Sequence, residues 1–169
     1  MKDPVIPGKI AYFNNQQQTK YSNRSIMDIQ EKQDRIIREF QALSDWQERY
    51  KHIIKKGQKL PALDEEHKVE DNLVRGCQSQ VWLVTEFEDG KVKFRADSDA
   101  AITKGLVALM VNFYSDEEPD TILSTSPDFI KKIGMQEHLS PTRSNGLASM
   151  IKQMKIYAMA YKAKMASQE

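Results

Sequence analysis

The chain has 169 residues, of which 40% are hydrophobic and 29% charged, as is usual for one globular domain with its own core. A formal net charge of +1 argues against a nucleic-acid or membrane partner, and no apolar run approaches the ~18 residues of a membrane helix. The single cysteine excludes an internal disulfide and a metal site built from several cysteines. So few cysteines are typical of a reducing compartment, and we therefore expect a cytoplasmic protein.

The first part of the chain predicts a tail followed by two helices. Residues 1–25 hold prolines and an Asn/Gln run without any apolar period, so they are predicted to form a flexible tail outside the domain 26–169. The apolar residues that follow have helical spacing: Ile26, Ile29, Ile36, Ile37, Phe40 and Leu43. The spacing of Ser44 and Gln47 predicts a capping box and a second helix that starts at Asp45.

Strand signals appear after this second helix, which we expect Gly57 to end. Residues 81–87 are rich in β-branched and aromatic side chains, and residues 91–97 alternate between polar and apolar. Residues 88–90 between them have the composition of a hairpin turn. Because two strands alone are marginally stable, we expect a small antiparallel sheet of about three strands, the third supplied by residues 73–74.

Three further helices are predicted after the sheet. Ser98 or Asp99 can cap the first of them. A short helix is expected within residues 126–134, where Ser-Pro-Asp gives a start and a glycine gives an end. A second Ser-Pro pair at residues 140–141 predicts the start of a long C-terminal helix. Helices, then a small antiparallel sheet, then helices again indicate an α+β domain.

Cys77 has polar rather than apolar neighbours. Gly76 permits an unusual backbone conformation, and Arg75 places a cation close to a potential thiolate. Gln78 and Ser79 add hydrogen-bonding groups on the other side. A lone cysteine is often an inert, buried apolar residue, whereas positive charge and N–H groups make a thiol reactive. From these residues alone both interpretations stay open.

His138 is the one histidine that we expect near a site, because His52 and His67 have the surroundings of surface residues. A thiol hydrolase would need such a histidine beside Cys77 as its base. No zinc site is expected, since no ligands have paired spacing, and neither a phosphate-binding loop nor a dinucleotide glycine fingerprint is present. Residues 97–99 could bind a cation, but helix capping is the better interpretation.

Three segments together resemble one known family. Residues 75–82 are similar to its G-C-Q-S-Q-V-W signature, residues 96–105 to D-S-D-A-x-I-x-K-G, and residues 138–146 to H-L-[ST]-P-[ST]-R-S-x-G. In this order and at these distances they resemble SufE, the sulfur acceptor of cysteine desulfurases in iron–sulfur cluster assembly. The resemblance extends over roughly residues 26–161, which is one whole domain.

The resemblance implies the SufE/IscU-like α+β fold and a role as sulfur carrier rather than enzyme. A SufS-type desulfurase would use its own pyridoxal phosphate to take sulfur from free cysteine, so this chain would need no cofactor. The Cys77 thiolate would accept that sulfur as a persulfide and pass it to a SufBCD-like scaffold. Accepting the sulfur would also free the desulfurase for another turnover, so this protein would act as its activator. A cluster scaffold of the IscU type is disfavoured, because a cluster needs several ligands.

The resemblance also implies site residues around Cys77. Asp99 and Arg143 would lie near the cysteine loop and hold it in its resting position. The other supporting positions are Arg75, Gly76, Gln78, Ser79, Lys104 and His138. Two other classes remain open, a hydrolase that uses Cys77 with His138 and a binding module with an inert thiol. The particular desulfurase and scaffold, the burial of the resting thiol and the oligomeric state, a homodimer included, also stay open.

Overall fold

The computed structural model describes residues 29–168, so the tail predicted for residues 1–25 lies outside the described residues. Two short 3₁₀ turns, Glu65–His67 and Glu70–Asn72, connect the early helices to the strands. In chain order the helices and strands are α1 (29–41), α2 (Trp46–Lys59), β1 (Val81–Glu88), β2 (Lys91–Ser98), α3 (Ala101–Tyr114), α4 (Pro119–Ser124), α5 (Phe129–Lys132), α6 (Met135–His138) and α7 (Pro141–Ala166).

Strands β1 and β2 form an antiparallel hairpin. Its two turn residues, Asp89 and Gly90, have φ of 53° and 75°, the left-handed geometry that tight hairpin turns need. The expected third strand is reduced to a single bridge between Leu73 and Trp82, so within residues 29–168 the sheet has two strands. The 3₁₀ turn that ends at Asn72 redirects the chain and leaves too few extended residues for a ladder.

Helix α3 is the centre of the core, and most of its residues are buried. It packs against β2 and against α2. Where α2 crosses α3, a Cβ on Gly57 would lie only 2.7 Å from the backbone nitrogen of Gly105. Gly57 therefore permits a close approach of two helices and lies inside α2, which continues to Lys59. The prediction that Gly57 ends this helix was wrong, because the sequence alone does not distinguish a packing glycine from a terminating one.

The cap of α2 lies one residue later than the capping box predicted from Ser44 and Gln47. Asp45 is the N-cap, and its Oδ1 accepts a hydrogen bond from the Glu48 N–H at 2.9 Å. The Glu48 carboxylate in turn accepts from the Ser44 N–H at 3.0 Å. Aspartate and serine are comparably good caps, so local spacing alone did not decide between the two registers.

The C-terminal half agrees with the predicted α+β class. The short helix expected within residues 126–134 is α5, and Gly134 follows it with φ of 72°. Helices α4 and α6 have six and four residues and gave no periodic signal. The long helix α7 begins at Pro141 as predicted and packs against α4 and α3. Among the described residues, no helix is long and apolar enough to cross a membrane.

Candidate functional site

The loop that carries Cys77 is fixed at both ends. Before it, the Val74 N–H donates to the Val81 carbonyl at 2.8 Å. After it, the Gln80 N–H donates to Asp99 Oδ1 at 3.0 Å, and the Gln80 carbonyl accepts from Ser98 Oγ at 2.8 Å. The start of β1 and the turn between β2 and α3 therefore define where the thiol lies. Asp99 reaches the end of the cysteine loop.

Two glycines allow this loop to lie directly on α7. Gly76 has φ of +92°, a conformation that L side chains rarely adopt, and a Cβ there would lie 2.6 Å from Ser149 Oγ. A Cβ on Gly146 would lie 3.4 Å from Cys77 Sγ. The loop backbone therefore contacts α7 at Ser149, and the thiol contacts α7 at Gly146. We call these two contacts the α7 seat.

The Cys77 thiol is half-buried, and its Sγ donates to the Gly146 carbonyl at 3.5 Å. Burial raises the pKa of this thiol. The Arg75 side chain is 78% exposed and pairs with Glu70 at 3.3 Å. The expectation that Arg75 would favour a Cys77 thiolate is therefore wrong for this conformation, because the guanidinium is directed into solvent and toward a carboxylate.

A cavity of about 360 Å³ lies beside the thiol. One part of its wall is polar and is formed by Gln78, Ser79, Thr103, Ser140, Thr142 and Arg143, with Cys77 at the edge. The remaining wall is mainly apolar and is formed by Val81, Leu106, Val107, Gly146, Leu147 and Met150. Thr103 Oγ1 donates to Ser79 Oγ at 3.3 Å, which links the loop to α3. The fold thus gathers three of the expected positions, Gln78, Ser79 and Arg143, around one cavity next to Cys77.

Lys104 lies behind this site rather than in it. Its Nζ is 3.2 Å from Oδ1 of the buried Asp97 and is absent from the cavity wall. Burial alone would raise the pKa of Asp97, but hydrogen bonds from the Ser98 N–H and from Lys104 outweigh it and lower the pKa. The N-cap of α3 is Ala100, without a side-chain cap. The side-chain capping expected of residues 97–99 is therefore not observed, and Ser98 and Asp99 bond instead to Gln80 at the end of the cysteine loop.

His138 is used elsewhere in the fold. Its ring stacks on Trp46 with the centroids 3.7 Å apart, and its carbonyl accepts from the Tyr50 hydroxyl at 2.7 Å. None of the described residues that line the cavity is a histidine. The pairing of His138 with Cys77 expected for a hydrolase is not observed, because the stacking holds the ring against α2.

Several residues of this site were not predicted from the sequence, among them Gly146, Ser149 and Thr103. Ser149 lies three residues after Gly146, on the next turn of α7, and this i, i+3 spacing was the available signal. The described residues contain one grouping of potential metal ligands, formed by Asp64, Glu66 and His67. It lies in the loop before β1, and it shares no residue with the cavity wall.

The fold and the site define a class of protein: a small α+β domain that carries one thiol on an anchored loop above a cavity. The SufE family, described as the Fe-S metabolism associated domain, matches residues 34–158, and the chain belongs to this family. An uncharacterised SufE-like protein of Synechocystis sp. is 40% identical over 127 residues, which cover 75% of this chain and 80% of that protein.

A second relative supports this membership, and a solved structure supports the fold. An uncharacterised SufE-like protein of Rhizobium etli is 43% identical over 127 residues, covering 72% of this chain and 86% of that protein. The solution structure of a hypothetical protein from Thermus thermophilus superimposes with a TM-score of 0.64 at 21% identity. That superposition covers 76% of this chain and 94% of the other, and it supports the fold.

Proposed function

We propose that this protein accepts sulfur from a pyridoxal-phosphate-dependent cysteine desulfurase and carries it as a persulfide on Cys77. The observation that supports the proposal most directly is the position of the only thiol, on an anchored loop at the edge of a cavity. Membership of a family associated with Fe–S metabolism adds the class of pathway. The carried sulfur then goes to a scaffold on which an iron–sulfur cluster is assembled.

The transfer is a redox-neutral exchange between sulfur atoms. The Cys77 thiolate attacks the terminal sulfur of a persulfide on the desulfurase, so one S–S bond forms at Cys77 and the S–S bond of the donor breaks. The donor cysteine leaves as a thiolate and takes up the proton that Cys77 gave away. Removal of the persulfide frees the desulfurase for another turnover, which makes the acceptor an activator.

The resting site favours the neutral thiol form of Cys77. Burial and the bond from Sγ to the Gly146 carbonyl both favour the neutral form of Cys77. A neutral thiol attacks a persulfide poorly, because the thiolate is the nucleophile. We therefore propose that docking of the desulfurase lifts Cys77 from the α7 seat and exposes it.

The test is intact-protein mass spectrometry after incubation of the full chain with a SufS-type desulfurase and free cysteine. We expect the protein to gain one sulfur atom, to lose it on addition of a reductant, and to gain none when Cys77→Ser is used. The His138→Gln variant should still gain the sulfur atom, because transfer to Cys77 does not need this histidine. A hydrolase that used Cys77 with His138 would instead lose its hydrolytic activity in this variant. No gain with a desulfurase of demonstrated activity would mean either the wrong partner or an inert thiol, and slow alkylation of Cys77 would then refute the proposal in favour of a binding module.

A further inference from the structure

Helix α7 is strongly basic. It contains five cationic residues and neither aspartate nor glutamate: Arg143, Lys152, Lys155, Lys162 and Lys164. Helix α2 is also basic, with five lysines and arginines and one glutamate. Of these two basic helices, α7 is the one that contacts the Cys77 loop, through the α7 seat.

The same helix exposes large apolar side chains. Four large hydrophobic residues are exposed in the described part of the chain, and three of them are on α7: Ile156, Met159 and Met165. Ile156 is 46% exposed and Met159 is 59% exposed. Scattered single residues of this kind are ordinary, whereas a concentration on one helix indicates an interaction surface.

Ile156 and Met159 belong to a continuous row on α7. Ala148, Lys152, Lys155, Ile156 and Met159 follow the i, i+4, i+7, i+8, i+11 spacing of one helix face, and they line a shallow groove together with Ile151. The residues that α7 buries, such as Met150 and Met154, lie on another side of the helix, and the half-buried Ile151 and Lys155 border that buried side. We call the row the outer stripe of α7.

We propose that the outer stripe binds an acidic, amphipathic helical segment of another protein. Ile156 and Met159 offer the apolar anchors, and Lys152 and Lys155 offer the charges that such a segment complements. Lys155 also donates to the Leu123 carbonyl at 3.5 Å, which ties one edge of the groove to α4. A second copy of this chain fits poorly, because stripe against stripe would bring lysines together without a carboxylate on either helix.

The position of the outer stripe relates it to the thiol. The stripe begins at Ala148, next to Ser149 of the α7 seat, and Ile156 lies about 12 Å further along the helix axis. A segment bound there would therefore lie alongside the Cys77 loop without covering the cavity. The proposal concerns binding alone, so it holds or fails independently of persulfide transfer.

The experiment titrates the full chain into a labelled synthetic peptide and follows fluorescence anisotropy. The peptide is about 18 residues long, with leucine at i, i+3, i+4, i+7 spacing and glutamate at most other positions. We expect saturable binding that weakens as the salt concentration rises, and amide shift changes in NMR spectra confined to residues of the outer stripe. Met159→Glu should weaken binding by about tenfold or more, and Lys152→Glu should weaken it and flatten its salt dependence.

Three controls allow this proposal to fail. Lys51→Glu makes the same change of charge as Lys152→Glu, but at an exposed position on α2, and should leave peptide binding unchanged. A peptide with lysine in place of glutamate should not bind. Absence of saturable binding, equal losses in Lys51→Glu and Lys152→Glu, or shift changes away from α7 would overturn the proposal. Binding of the chain to anionic lipid vesicles but not to the acidic peptide would also overturn it and assign the stripe to a membrane surface.

Discussion

The sulfur of Cys77 lies 3.5 Å from the carbonyl oxygen of Gly146, a residue 69 positions later in the chain. A carbonyl oxygen can accept a hydrogen bond from a thiol, but it has no proton to offer a thiolate. Burial acts in the same direction and raises the pKa of Cys77. The contact that positions the sulfur therefore also favours its protonated form, and we expect a more reactive thiol when this contact is broken.

The size of the side chain at position 146 should decide whether the Cys77 thiol stays in the α7 seat. The Cβ of Gly146→Ala would lie 3.4 Å from Cys77 Sγ, which is an ordinary contact, so this variant should alkylate at nearly the parent rate. The additional methyl groups of Gly146→Val would overlap the sulfur and displace the loop. We expect Cys77 of the valine variant to react roughly tenfold faster with iodoacetamide than Cys77 of the alanine variant. Equal rates in the two would contradict the α7 seat.

The pH dependence of alkylation should reflect the raised pKa of Cys77. We expect the rate to reach half its maximum at a pH above the ~8.5 of a free cysteine. Displacement of the loop in Gly146→Val should return the midpoint toward that value. A midpoint below that of free cysteine in the parent protein would show that positive charge, and not burial, dominates at this thiol.

The raised pKa of Cys77 should also make the stability of the protein depend on pH. Because the folded-state pKa is raised, the contribution of Cys77 to the free energy of unfolding is complete below the unfolded pKa and is lost as the pH rises through the folded pKa. Urea denaturation at neutral and at alkaline pH should therefore show a larger loss for the parent than for Cys77→Ser. Tyr114, whose pKa burial also raises, is present in both proteins and cancels in this comparison.

Replacement of Asp99 should loosen the cysteine loop. Its carboxylate accepts the Gln80 N–H at 3.0 Å, and a hydrogen bond of this kind is worth about 0.5–1.5 kcal/mol. We expect Asp99→Ala to raise the alkylation rate of Cys77 roughly two- to tenfold. Asp71→Ala, which removes an exposed carboxylate from the preceding turn, is the matched control and should have no effect. Unchanged kinetics in Asp99→Ala would remove Asp99 from the group of residues that hold the loop.

Gly57→Ala should destabilise the protein even though alanine is the better helix former. The new Cβ would lie 2.7 Å from the backbone nitrogen of Gly105, so α2 and α3 would have to separate. We expect a loss of about 2 kcal/mol or more in the free energy of unfolding, against a propensity gain of at most ~1 kcal/mol. Urea denaturation measures this change, with the exposed Lys55→Ala as control. A stabilised Gly57→Ala would mean that the two helices do not cross as closely as described.

Much of the fold could be predicted because its signals are local. The hairpin follows from a β-branched and aromatic run before an Asp-Gly turn and an alternating run after it. The start of α7 follows from Ser140, whose Oγ accepts the Arg143 N–H at 3.3 Å. Helices α4 and α6 could not be predicted, because six or four residues cannot show a helical period. The third strand predicted at residues 73–74 is only a bridge at Leu73, since the extent of so short a strand depends on its neighbour rather than on its own sequence.

The sequence by itself determined that any thiol chemistry would fall to one atom, because the chain has a single cysteine, and the segments around it indicated the family. Tertiary structure decided the state of that thiol. Arg75 is close to Cys77 in the sequence yet is directed into solvent, whereas Gly146 is distant in the sequence and contacts the sulfur. Protonation depends on burial and on through-space partners, and packing of the loop on α7 creates both.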